Sequence, residues 1–105
     1  MSFQVLGREF QKLRTEFRGS LPAKLKRLRS LWERIDCEAP DPDALEILKR
    51  EVHTMAGSAG SFGLPQVSKL AGAAEDALAG LRAGSRPGAK RAAKFGALLG
   101  KLEKA

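Results

Sequence analysis

Apolar residues recur at alternating spacings of three and four along nearly the whole chain, and Gly/Pro clusters cut the pattern into segments. That spacing draws one stripe down a 3.6-residue helix, whereas a half-buried strand needs alternation at every second residue. Phe3, Leu6, Phe10, Leu13 and Phe17 form the first stripe. Gly19-Ser20-Leu21-Pro22 interrupts it; Ser20 suits a helix cap, and Pro22 suits a first turn, where a missing N–H is harmless. Leu21, Leu25, Leu28, Trp32 and Ile35 form a second stripe, widened by Leu31. Pro40 and Pro42 then mark a turn. Asp43, with Glu46 three residues on, is the expected cap of a third helix bearing Leu45, Leu48, Val52, Met55, Ala59 and Phe62. Gly63-Leu64-Pro65 turns the chain into a fourth, with Val67, Leu70, Ala74, Leu78 and Leu81 inward. Ser85 is the expected cap of a fifth, which uses Phe95, Leu98, Leu99 and Leu102.

These stripes predict an all-α fold. Short connections make consecutive helices antiparallel neighbours. The expected architecture is an up-and-down four-helix bundle over residues 20–104 with an additional, accessory N-terminal helix over 1–18, all in one domain spanning 1–105. A chain of 105 residues, 43% hydrophobic and 30% charged, suits one globular core.

The same composition narrows the function. Cys37 is the only cysteine, which excludes an intrachain disulfide and fits a reducing, cytoplasmic setting. No run of 18 apolar residues exists, so no membrane partner is expected. One His and one Cys do not make a usual zinc site. "GSAGSFG" lacks the GK[ST] of a nucleotide loop and follows a helix rather than a strand. The balance of 19 Lys+Arg against 12 Asp+Glu, a net +7, points to an acidic partner. "KLKRLR" at 24–29 and "KRAAK" at 90–94 are able to touch phosphates. No helix-turn-helix spacing accompanies them, and no nucleic-acid partner is expected.

His53 is the only histidine, and it opens the stretch "HTMAGSAGSFG". It follows Val52 of the core stripe and is rotated about 100° from it, to the edge of the core. Its own row is Lys49, Ala56, Gly57 and Gly60. A glycine inside a helix costs about 1 kcal/mol relative to alanine, and this helix holds two. Small residues there have two physical uses. They let a neighbouring helix pack closely, or they leave a flat shelf on which another macromolecule brings a reactive group to the imidazole.

His53, Gly57-Ser58-Ala59-Gly60, Phe62-Gly63-Leu64 and the following helix through Leu70, Ala71, Ala74 and Glu75 resemble the histidine-containing phosphotransfer (HPt) domain family. The resemblance covers about residues 45 to 80 closely. It implies a phosphocarrier of a two-component phosphorelay rather than an enzyme with its own kinase or nucleotide site. His53 would accept a phosphoryl group from an aspartate of one receiver domain and pass it to another receiver. The resemblance makes Gly57 the small position that admits the receiver. It places Glu75 where the family often has a Gln or Glu reaching the ring. The partners implied are response-regulator receiver domains and a hybrid histidine kinase. No cofactor is expected on this chain, with Mg²⁺ coming from the receiver. The family's usual lysine three residues after the histidine is Ala56 here, and Lys49 and Lys69 are the candidate substitutes; Gly60 joins them as a candidate receiver contact.

The chemistry suits the residue. A histidine side chain in water titrates near about 6.5, so at pH 7 a neutral ring offers one lone pair to phosphorus. A carboxylate on Nδ1–H would leave Nε2 as the nucleophile. Two other readings stand beside this one: a relative that binds receivers without transfer, and a basic helical nucleic-acid binder.

Overall fold

The computed structural model describes residues 3–105, with side-chain environments from residue 7 onward. It contains four α-helices and, among the described residues, no strand: α1 Phe3–Glu33, α2 Pro42–Ser61, α3 Pro65–Leu78 and α4 Ala89–Lys104. α1 touches α2 and α4, α2 touches α3, and α3 touches α4, while the diagonal pairs do not meet. The core holds Leu28, Ile35, Leu48, Val52, Leu78, Phe95 and Leu99, all fully buried. Trp32 stacks near Phe95 with ring centroids 4.4 Å apart.

The separate helix expected over 1–18 does not exist. α1 runs unbroken through Gly19-Ser20-Leu21-Pro22. Phe17, Leu21, Leu25 and Leu28 are all buried, and their i, i+4, i+8, i+11 spacing aligns on one face only if the helix is continuous. Burying such side chains contributes about 1.5–3 kcal/mol each, together more than the roughly 3 kcal/mol of an interior proline. Pro22 itself faces solvent. The four helices of the structure include α1 as a whole, and the segment expected to be accessory is the N-terminal part of that helix. Phe17 packs on Phe62, at the end of α2, with centroids 5.4 Å apart. The described side chains before it, residues 7–16, are exposed apart from a half-buried Arg14, with Phe10 at 41% and Leu13 at 49%. The side chains of Phe3 and Leu6 lie outside the described residues.

Two caps also shift. α2 is capped by Asp41, whose Oδ1 accepts from Asp43 N at 2.9 Å, rather than by Asp43; Pro42 then takes the first helical position, which suits its fixed φ. α4 begins after Gly88, at φ 79°, rather than at Ser85. The α2–α3 turn is as expected, and its hydrogen bonds define it. Gly63 N donates to Gly60 O at 3.3 Å and Leu64 N to Ala59 O at 2.8 Å. This is a Schellman motif, and it requires the positive φ of 71° at Gly63. It aims α3 back along α2, which brings Glu75 level with His53.

Candidate functional site

His53 stands on the outer flank of α2 with its side chain 75% exposed. Its Nδ1 lies 2.7 Å from Oε2 of Glu75 on α3. Glu75 is 39% exposed and is the one carboxylate on the ring. With Nδ1–H donating to that carboxylate, the Nε2 lone pair points to solvent.

The exposure has a local cause. Cα–Cβ bonds in a helix tilt toward its N-terminus, so the side chains that lean over residue 53 are those three and four positions later. Those are Ala56 and Gly57, a methyl group and a hydrogen. A bulky side chain at Gly57 would stand over the ring.

The two interior glycines differ. A methyl group built on Gly60 would sit 3.3 Å from Ser68 Oγ of α3, so Gly60 serves the close approach of two helices. A methyl on Gly57 would meet no atom within 4 Å. No packing among the described residues explains that glycine. Sequence reasoning treated the pair alike, because spacing alone does not say where α3 lies. It also missed Gly72 on α3, one turn before Glu75, where an added methyl again meets nothing within 4 Å. The open shelf beside His53 therefore continues onto the neighbouring helix. Ser68 was missed as well; its hydroxyl donates to Ala56 O at 2.8 Å and ties α3 to α2 one turn from the histidine.

Neither candidate lysine meets the ring. Lys49 is half-buried, and its ammonium donates to Leu81 O at 3.4 Å, beyond the end of α3. This is the direction its position dictates, since a side chain four residues before His53 leans away from it. Lys69 is exposed on α3 at the Gly60 end of the shelf, likewise leaning toward its own N-terminus.

The Hpt domain family model matches residues 12–105. The chain belongs to the histidine-containing phosphotransfer family, whose members are helical phosphocarrier modules. No curated protein matches it, and no solved structure does. No helix among the described residues is long and apolar enough to cross a membrane.

Proposed function

We propose that this chain is a phosphocarrier of a two-component phosphorelay, with His53 as phosphoacceptor. The observation that carries the reading is an exposed imidazole held at Nδ1 by Glu75, 2.7 Å away, in a chain of this family. The Nε2 lone pair attacks the phosphorus of a receiver's aspartyl phosphate. The N–P bond forms as the P–O bond to the aspartate breaks, and the carboxylate leaves. Glu75 balances the imidazolium charge that develops on the phosphorylated ring. A second receiver reverses the step with its own aspartate.

The partners are response-regulator receiver domains and a hybrid histidine kinase, met in the cytoplasm. Mg²⁺ comes with the receiver, because phosphoryl transfer needs charge neutralisation that this chain does not place on its own ring. The cyclic order of helix contacts supports an up-and-down bundle, which presents α2 and α3 together to a receiver. Gly57 and Gly72 form the floor of that surface, and Lys69 lies on its rim.

A transfer-silent receiver binder is the second reading, and Ala56 in place of the usual lysine favours it. Incubation with phosphorylated receiver domains decides between them. The carrier reading expects acid-labile phosphate on His53, lost in His53→Gln. Receiver binding without label on His53 would leave the silent reading.

A further inference from the structure

The net positive charge of the chain is concentrated toward its C-terminus. Residues 82–105 hold seven basic residues and one acidic one, so they carry +6 of the net +7. Most of this charge is on α4, and α4 shares no contact with α2, the helix that carries His53. Attraction of an acidic receiver to the histidine face does not account for it.

On α4 the charge is ordered. Lys90, Lys94, Lys101 and Lys104 fall within about 80° of arc at 100° per residue, along about 21 Å of helix. All four are exposed, as are Ala93 and Ala97 between them. None has a hydrogen bond or ion pair among the described residues. Arg91, by contrast, is turned inward to the carbonyls of Ala77 and Ala79 at 3.0 and 3.1 Å.

The helix itself does not want this pattern. Its first turn contains no acidic residue, and cations there oppose the helix dipole. Lys90 and Lys94 are like charges one turn apart, which repel. Only Lys101 and Lys104, in the last turn, sit where the dipole favours them.

We propose that the outer face of α4 is a second interaction surface, which binds the phosphate backbone of duplex nucleic acid without reading sequence. The chemistry of the stripe selects this occupant. It has no aromatic side chain to stack on single-stranded bases. It has no Asn, Gln or free Arg to read base edges. Lysine is depleted at protein–protein interfaces, and here it is the only contact-forming residue.

An anionic membrane fits less well, because the charge is a line and not a sheet. Asp76 shares the groove on the α3 side with Lys90 and Lys94. Glu33 lies on the α1 side, beside the Arg29–Glu103 ion pair. A flat leaflet would press these acids onto anionic headgroups, and the stripe has no apolar side chain larger than alanine to insert. A phosphodiester strand is itself a line of charge, one phosphate per about 3.4 Å of axis. A row one helix wide matches it and leaves the flanking acids clear.

The experiment is fluorescence anisotropy of the intact chain with a mixed-sequence DNA duplex across a salt series, with phosphatidylserine vesicles as the parallel probe. Two variants each remove four charges: Lys90, Lys94, Lys101 and Lys104 to Gln on α4, and Arg8, Lys12, Arg18 and Lys26 to Gln on α1. The α4 variant should bind the duplex at least about tenfold more weakly, and its log–log salt slope should fall by about 3. The α1 variant should stay within about threefold of the parent. Phosphotransfer to His53 should be unchanged in the α4 variant, which separates this surface from the carrier reading. No duplex binding by the parent at low salt, equal losses in the two variants, or tighter binding to vesicles than to duplex would each overturn the proposal.

Discussion

Glu75 Oε2 and His53 Nδ1 are 2.7 Å apart across the α2–α3 seam, although 22 residues separate them in sequence. One carboxylate therefore sets which ring nitrogen carries the proton. Glu75→Ala removes the acceptor on Nδ1, so the bundle should melt as before while phosphorylation of His53 slows by about tenfold or more. A ¹⁵N NMR spectrum of the ring should show Nδ1 losing its fixed proton. Unchanged tautomer populations would mean that the carboxylate does not orient the ring.

Phe62 terminates α2 and packs against Phe10 and Phe17, with ring centroids 6.2 and 5.4 Å away. The sequence puts it in the core stripe, but the structure leaves it half-buried at the C-cap. Phe62→Ala should lower stability by about 2 kcal/mol in a urea melt, short of the roughly 3–5 kcal/mol of a fully buried phenylalanine. The α1 extension loses its only aromatic partner on α2 in this variant, and amide exchange in residues 7–16 should rise with it.

Lys49 is occupied by Leu81 O, and Lys69 is exposed on the rim. Lys49→Ala should leave transfer to His53 within about threefold, with a stability change near the 0.5 kcal/mol of ordinary surface substitutions. Lys69→Ala should instead slow receiver association at low salt and match the parent at high salt, as expected of a steering charge. Stopped-flow association at two salt concentrations distinguishes the pair.

The hydrogen bond from Arg34 holds the Asp41 carboxyl below its usual range, aided by the backbone N–H of Asp43. The folded value is depressed, so the unfolded chain takes up the proton first as pH falls. The contribution is complete above about pH 4 and disappears as pH drops through the folded value. Asp41→Asn should therefore flatten the decline in urea midpoint between about pH 5 and about pH 2.5.

Periodicity placed the helices well where the breaking signal agreed with burial. Gly63-Leu64-Pro65 reads as a turn because Gly63 needs a positive φ that no tertiary contact replaces. Gly19-Ser20-Leu21-Pro22 carries equally strong local signals, yet the aligned burial of Phe17, Leu21 and Leu25 overrides them. The contact of Glu75 with the His53 ring was readable, since each occupies a matched position of the family pattern. Gly72 and Ser68 were not, because their meaning depends on the register of α3 against α2. Lys49 misled for a similar reason: four-residue spacing shows a shared face but not the direction in which a side chain leans.

Access to His53 through Gly57 is the centre of the account. A methyl there meets no atom within 4 Å, so Gly57→Ala should raise stability by up to about 1 kcal/mol from helix propensity alone, and Gly57→Leu should remain folded. The decisive measurement is the rate of phosphoryl transfer from a labelled receiver to His53 in the parent and in Gly57→Leu, with the melting curve of each recorded alongside. A loss of at least about tenfold in transfer (about 1.4 kcal/mol of barrier) with cooperative unfolding intact is the predicted result. Parental transfer rates in a folded Gly57→Leu chain would contradict it.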